Sequence, residues 1–69
     1  MKKLTRNQVE ALNAIRNSKG RFFGLYTTQG GVINAQFVSE SDEYINIFDR
    51  NHRQHRRLAK TSVSEVKLG

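Results

Sequence analysis

Two hydrophobic periodicities divide the chain into a helical part and a strand part. In residues 5–18, Val9, Leu12 and Ile15 recur on one side of a helix with 3.6 residues per turn. Thr5 is a favoured N-cap residue, and the glutamine three positions later completes a capping box. The narrow apolar stripe predicts a surface helix that packs its one hydrophobic side against the rest of the molecule.

From residue 20 onward the apolar residues alternate with a period of two, which is typical of strands. The predicted strands cover 21–28, 32–38, 44–48, 55–60 and 65–68, with a tight turn at 29–31, a polar loop at 39–42, a basic turn at 50–54 and a 3₁₀ turn within 61–64. The side chains expected to point inward are Phe23, Leu25, Ile33, Ala35, Phe37, Ile45, Ile47, Leu58, Val63 and Val66.

These elements predict a protein that is mostly β with one N-terminal α-helix, folded as a five-stranded antiparallel SH3/Sm-like small barrel. Five short strands are too few for two thick sheets, so a bent sheet closed into a barrel is the economical arrangement. Sixty-nine residues make one domain over 1–69, with a capping helix at 5–18 and the barrel at 20–68. A chain of this size buries only about 60% of its unfolded surface, so its stability is marginal.

Charge is concentrated in one segment between the third and fourth predicted strands. The chain has 12 Lys and Arg against six Asp and Glu, which gives a net charge of +6. The segment 50–60, termed here the basic segment, contains no acid and carries Arg50, His52, Arg53, His55, Arg56, Arg57 and Lys60. A positive ridge on a small scaffold is suited to phosphate groups, so these seven residues are the predicted nucleic-acid contacts.

Four aromatic residues alternate with the inward set and are predicted to lie on the opposite face of the sheet. They are Phe22, Tyr26, Tyr44 and Phe48. Aromatic rings on an outer face stack nucleic-acid bases at roughly 1–3 kcal/mol each. The sequence favours packing of Phe22 and Phe48 beneath the helix. For Tyr26 and Tyr44, whose hydroxyls tolerate water, base stacking is equally plausible, and both join the predicted nucleic-acid site.

The residues that could carry catalysis or bind a metal are few. There is no cysteine, and His52 and His55 have only Asp49 as a nearby carboxylate, while the flanking arginines repel a cation. The acidic residues at 40–43 resemble a solvated loop more than a general acid–base pair. We therefore expect a protein that is not an enzyme and that uses neither a metal nor another cofactor.

The order of elements resembles that of the Sm-like, SH3-like small barrels, and most closely a group of short phage and bacterial Sm-like barrels related to the WYL domain. The resemblance covers residues 20 to 68 and rests on Gly20-Arg21-Phe22-Phe23, Gly30, Ile45-Asn46-Ile47-Phe48-Asp49, Arg56 and Val63-Ser64-Glu65-Val66-Lys67. Most of these positions belong to a core, so the resemblance implies the fold more strongly than a function. It also implies a phage or bacterial source.

A fainter similarity is to the bacterial Sm-like RNA chaperone Hfq. Its Tyr-Lys-His signature falls on Ala59-Lys60-Thr61, where only the lysine is kept. The missing aromatic residue and histidine argue against uridine recognition and a hexameric ring of the Hfq type. Members of the wider fold bind RNA, bind proteins or form rings, so the resemblance favours nucleic acid without excluding the others.

The leading hypothesis is a non-catalytic barrel that binds RNA or single-stranded nucleic acid, encoded by a phage and acting as an accessory or regulatory protein in the host cytoplasm. The alternative is a protein-binding module that modulates a host protein through its basic ridge or through a strand edge. A third hypothesis is a homo-oligomer joined by strand edges. No apolar run approaches the roughly 20 residues of a membrane span, and the basic segment lacks the apolar face of an interfacial helix, so we expect no membrane partner.

Overall fold

The computed structural model describes residues 3–68 and confirms the predicted fold class, one N-terminal helix followed by five antiparallel strands. Helix α1 spans Arg6–Arg16, strands β1 to β5 span Phe22–Thr27, Val32–Glu40, Tyr44–Asp49, Gln54–Ala59 and Val63–Leu68, and a 3₁₀ helix at Lys60–Ser62 precedes β5. Residues 1, 2 and 69 of the predicted domain lie outside the described part of the chain.

Helix α1 begins with the predicted capping box. The backbone N–H of Gln8 donates to the Thr5 hydroxyl at 3.2 Å, and the backbone N–H of Thr5 donates to Oε1 of Gln8 at 2.9 Å. The helix ends at Arg16, two residues before the predicted end. The buried Ser18 donates both its backbone N–H and its hydroxyl to the carbonyl of Ile15, at 3.1 and 2.6 Å, and so closes the last turn.

The buried side of α1 differs from the predicted stripe at one position. Ala11, Leu12 and Ile15 belong to the core, but Val9 is 44% exposed, so its predicted burial is wrong. Gln8 is buried instead, and its Nε2 donates to the carbonyl of Thr61 at 2.9 Å. The side chains of residues 8, 11, 12 and 15 share one side of the helix, whereas residue 9 lies about 100° away around the axis.

The strands form one sheet in the order β4-β3-β2-β1-β5, with every pair antiparallel. No ladder joins β4 to β5 in the described part of the chain, so the sheet is not closed and the predicted closure into a barrel is not observed. Helix α1 packs against β5 and the 3₁₀ helix. The turn between β1 and β2 contains Gly30 at φ +91°, a left-handed conformation that favours glycine.

Element ends differ from the predicted ones by one or two residues at most positions. Strand β2 continues to Glu40 through a register shift between Phe37 and Ser39, so part of the predicted polar loop is strand. Strand β4 stops at Ala59, and Lys60 begins the 3₁₀ helix rather than ending the strand. The local turn after β4 therefore starts one residue earlier than predicted.

The core lies between the inner face of the sheet and α1. Seven of the ten side chains predicted to point inward are buried, while Phe37, Leu58 and Val66 are half-buried and pack against them. The helix contributes its own buried side chains to the same cluster. One charged residue, Asp49, is also buried on this side, at 1% exposure, and was not predicted there.

Candidate nucleic-acid interface

A row of paired residues crosses the outer face of four strands. Phe22 on β1 pairs with Gln36 on β2, Gln36 with Phe48 on β3, and Phe48 with His55 on β4. Directly paired residues share one face of a sheet, and the next residue along β1, Phe23, is buried on the other face. Phe22 and Phe48 therefore do not pack beneath the helix, and that expectation is wrong.

Each outer aromatic ring has a basic or imidazole group beside it. The guanidinium carbon of Arg57 lies 4.7 Å from the ring centroid of Tyr44, that of Arg50 lies 5.1 Å from the centroid of Phe22, and Nζ of Lys67 lies 5.6 Å from the centroid of Tyr26. The His55 ring meets the Phe48 ring edge-on, with centroids 5.4 Å apart. These distances place the cations within range of the ring quadrupoles.

Two amide side chains on the same face are held by neighbouring groups. Nε2 of Gln36 donates to the carbonyl of Gly20, and Nδ2 of Asn46 donates to the hydroxyl of Ser39 at 3.0 Å. Asn46 also pairs across the strands with Arg57. The polar groups between the aromatic rings are therefore fixed and uncharged.

The acidic residues lie at the margins of this face. Glu65 pairs with Tyr26 at the β5 side, and Asp42 and Glu43 precede β3. The remaining part, termed here the outer surface, carries no carboxylate and consists of Phe22, Gln36, Tyr44, Asn46, Phe48, Arg50, His55 and Arg57. A surface of cations and rings without acids is one that attracts a polyanion.

The structure divides the basic segment between the two faces. Arg57 and His55 belong to the outer surface, whereas Arg56 pairs with the buried Ile47 and therefore lies on the inner face. Nη1 of Arg56 lies 3.3 Å from Oδ2 of Asp49. Arg56 already has a carboxylate partner within the protein.

Lys60 also has a carboxylate partner within the protein. It is only 8% exposed, and its Nζ lies 3.1 Å from Oε2 of Glu40. The sequence predicted Lys60 on an exposed strand, and this is wrong. Lys60 begins the 3₁₀ helix, and its ammonium group is paired with Glu40. Arg56 also has a carboxylate partner, but its side chain is 38% exposed, whereas Lys60 is buried.

Glu40 is the centre of an ion network that ties three elements together. Its Oε2 accepts a hydrogen bond from Nη2 of Arg16 at 2.9 Å as well as contacting Lys60. Hydrogen bonds from Arg16, and to a smaller extent from Lys60, lower the pKa of Glu40 to about 2, and burial opposes this shift. The same pair raises the pKa of Arg16. This network connects the end of α1 to β2 and to the start of the 3₁₀ helix.

Asp49 is the centre of a second network, at the start of the turn between β3 and β4. Its Oδ1 accepts from the backbone N–H groups of Asn51 and His52 at 3.0 and 3.3 Å, and its Oδ2 accepts from Nδ1 of His52 at 2.8 Å. Burial alone raises the pKa of Asp49, but the hydrogen bonds from His52 and Arg56 outweigh burial and lower it. The carboxylate is therefore ionised at neutral pH.

The turn that follows Asp49 presents two arginines to solvent. Arg50 donates its backbone N–H to the carbonyl of Asn34 at 2.9 Å, and its guanidinium group reaches the ring of Phe22. Arg53, at φ +52°, lies at the end of the turn and is exposed. The backbone of this turn is held at Arg50, Asn51 and His52, while the side chains of Arg50 and Arg53 are exposed.

Two surface cavities lie outside the row of aromatic rings, and both contain carboxylates. One of about 310 Å³ has Tyr44 in its wall beside Asp42 and Glu43. Another of about 400 Å³ lies between α1 and β5 and contains Glu10 and Glu65. Their charge makes them less suited to phosphate groups than the open outer surface.

The sequence prediction missed several residues of this face. Phe22 and Phe48 were expected to pack beneath the helix, and Lys67 was not among the predicted site residues. The alternation of β1 and β3 contained the signal for the two phenylalanines, because Phe23 and Ile47 occupy the opposite face. The contact of Lys67 with Tyr26 depends on the pairing of β1 with β5, which alternation alone does not give.

Comparison with known proteins adds no relative from which a function can be transferred. No protein-family model, curated protein or solved structure matches the chain. In the described part, no helix has the length and apolar character needed to cross a membrane. Within residues 3–68 there is also no group of three or more His, Cys, Asp or Glu side chains arranged to hold a metal ion.

Proposed function

We propose that the protein binds single-stranded nucleic acid, with RNA as the leading substrate, through the outer surface. The observation that supports this most directly is the pairing of cations with aromatic rings, Arg57 with Tyr44 and Arg50 with Phe22, within the outer surface, which carries no carboxylate. Guanidinium groups attract phosphates, and ring faces stack bases, so both parts of a nucleotide find a partner.

The arrangement favours a single strand over a duplex. Stacking on Phe22, Phe48 or Tyr44 requires an unpaired base whose face is free, whereas a duplex offers only its phosphates and groove edges. The rings lie on a sheet face that is open to solvent, without a projecting helix that would enter a major groove. A bound strand would lie across the strands, with its bases on the rings and its phosphates near the arginines.

In this proposal, the exposed arginines of the basic segment make the contacts with phosphate groups. Arg50, Arg53 and Arg57 contact phosphates, and His55 lies beside the Phe48 ring where a base stacks. Tyr26 and Lys67 extend the surface towards β5. Arg56 and Lys60 support the fold through their carboxylate partners. The chain has no cysteine, which fits action in a reducing compartment such as the cytoplasm of a bacterium or of a phage host.

The proposal is tested by measuring binding of a labelled 12-nucleotide single-stranded RNA, the DNA of the same sequence, and the corresponding duplex. We expect tightest binding to a single strand. Tyr44→Leu removes a stacking ring while keeping an apolar side chain, and it should weaken binding by roughly 1–3 kcal/mol if a base stacks there. Tyr26→Leu should have a smaller effect, because Tyr26 lies at the β5 side and outside the outer surface.

A charge-matched control separates specific contact from net charge. Arg57→Gln and Arg6→Gln each remove one positive charge, but Arg6 is on the helix and pairs with Glu10. Only Arg57→Gln should weaken RNA binding substantially. Equal losses in the two variants would mean that net charge alone attracts the RNA. If the wild-type protein shows no affinity for any of the three nucleic acids at low salt, the protein-binding alternative replaces this proposal.

A further inference from the structure

A buried negative charge lies next to the site where a polyanion is proposed to bind. Asp49 is buried directly before Arg50, and it is ionised. Electrostatics alone makes a carboxylate at this position unfavourable for binding phosphate groups. We therefore looked to the hydrogen bonds of the Asp49 oxygens for the role of this carboxylate.

Each oxygen of Asp49 accepts two hydrogen bonds from the turn or the strand that follows it. Oδ1 satisfies the N–H groups of two consecutive residues, Asn51 and His52, and Oδ2 accepts from the His52 ring and from Arg56. The two bonds from backbone N–H groups hold the backbone after Asp49, and the two side-chain bonds tie His52 and Arg56 to the same carboxylate. The left-handed conformation of Arg53, uncommon for a residue with a side chain, falls within the same turn.

We infer that Asp49 is the positioning residue of the nucleic-acid site, holding the β3–β4 turn so that Arg50 and Arg53 are presented together to phosphates. This inference rests on the proposed function. Asp49 itself does not touch the ligand, because its side chain is fully enclosed. A fixed turn does not lose conformational freedom when a strand binds, and such preorganisation improves affinity.

The positioning role predicts an effect opposite in sign to the charge effect. Asp49→Asn removes one negative charge, so by charge alone it should bind RNA more tightly. If the carboxylate holds the turn, the same variant should bind more weakly because a phosphate contact is lost. One lost contact flattens the slope of log affinity against log salt by about 0.7, which corresponds to about fivefold weaker binding at 0.1 M salt.

Asp42→Asn is the matched control. It makes the same change of charge at an exposed residue in the loop before β3, outside the turn. We expect Asp42→Asn to bind RNA as tightly as the wild type or more tightly, with an unchanged salt slope. Thermal melting and circular dichroism of both variants establish that each is folded at the temperature of the titration.

Hydrogen exchange on the wild-type protein provides a second measurement that does not depend on a variant's folding. A turn held by Asp49 predicts that the backbone amides of Asn51 and His52 are already protected in the free protein. Their protection should change little when RNA is added. Amides that exchange freely until RNA binds would overturn the inference, because the ligand and not Asp49 would then order the turn.

Different results would contradict RNA binding and the positioning role of Asp49. Wild-type protein without affinity for single-stranded RNA contradicts the proposed function itself. Wild-type binding combined with tighter binding by Asp49→Asn, comparable to that of Asp42→Asn, contradicts only the positioning role. Weaker binding with a flatter salt slope in Asp49→Asn alone supports both.

Discussion

The two faces of the sheet contain the same kinds of cation and use them differently. On the inner face, Arg56 lies against Asp49, and next to it in the fold Lys60 of the 3₁₀ helix lies against Glu40 of β2. On the outer face, Arg50 and Arg57 lie against aromatic rings. A carboxylate partner neutralises a cation within the protein, whereas an aromatic ring leaves its charge available to a ligand.

This contrast shows why consecutive basic residues on a strand cannot be assumed to form one binding site. Consecutive side chains point to opposite faces, so neighbours such as Arg56 and Arg57 meet different surroundings. The sequence presents one ridge, but the structure separates it into a part that stabilises the fold and a part that faces solvent. Substitutions on the two faces should therefore affect different measurements.

The largest expected effect is a loss of stability from the inner face. Ile47→Ala removes most of a fully buried side chain and should reduce the free energy of unfolding by about 2–5 kcal/mol, enough to threaten a small domain. Phe22→Ala, on the outer face, should reduce stability far less, because that ring is 39% exposed. Urea denaturation of both variants tests the difference. A larger loss in Phe22→Ala would contradict the assignment of the two faces.

A second comparison sets Lys60 against Arg57. Lys60→Gln leaves the partly buried Glu40 without one of its two cations and should cost about 1–3 kcal/mol of stability. Arg57→Gln should leave stability almost unchanged, since exposed charges contribute little to folding. Thermal melting at pH 7 measures both effects. Equal melting temperatures in the two variants would show that the Glu40 network does not stabilise the fold.

The dependence of folding stability on pH below 5 tests the contribution of the carboxylates of Glu40 and Asp49. The pKa of Glu40 is lowered from 4.5 to about 2, so its contribution is present above pH 4.5 and is lost as the pH falls from there to about 2. Glu40→Gln should therefore lose less stability than the wild type over this interval. Asp49, whose pKa is also lowered, accounts for part of the remaining loss. Urea midpoints at pH 5, 4, 3 and 2 measure the slopes, and parallel curves would contradict the prediction.

The smallest effect is expected from an ion pair on the exposed side of α1. Nε of Arg6 lies 3.5 Å from Oε1 of Glu10, and both side chains are largely exposed. Pairs of this kind stabilise a helix by about 0.2–0.5 kcal/mol. Arg6→Gln should lower the melting temperature only slightly and less so at high salt. A loss comparable to that of Lys60→Gln would mean that exposure is a poor guide to the contribution of a charge in this protein.

Much of the fold could be predicted because its signals are local. The capping box at Thr5, the Gly30 turn and the alternation around Phe23 and Ile47 each follow from a few neighbouring residues. The exposure of Val9 was missed because a polar residue, Gln8, takes its place on the buried side through a hydrogen bond to Thr61. That bond joins residues 53 positions apart and has no local signature.

The candidate site was less predictable, for a similar reason. Alternation from the inward Leu58 places Arg56 on the same face, and alternation from Ile47 places Asp49 there, so part of the separation was already present in the sequence. The partners of Lys60 and Arg50 were not, because they come from other elements, Glu40 on β2 and Phe22 on β1. The density of positive charge identified the basic segment in the sequence. Only the strand pairing shows which of its charges are free to contact a ligand.

Salt titration of RNA binding by Arg50→Gln/Arg57→Gln tests the central claim most directly. This double variant removes both cations that lie over aromatic rings of the outer surface. Its control, Lys3→Gln/Arg6→Gln, makes the same change of charge before and at the first residue of α1. The account predicts that the slope of log affinity against log salt is flatter by about 1.4 in the first variant and unchanged in the second. Wild-type slopes in both variants, with measurable binding, would show that RNA does not contact the outer surface.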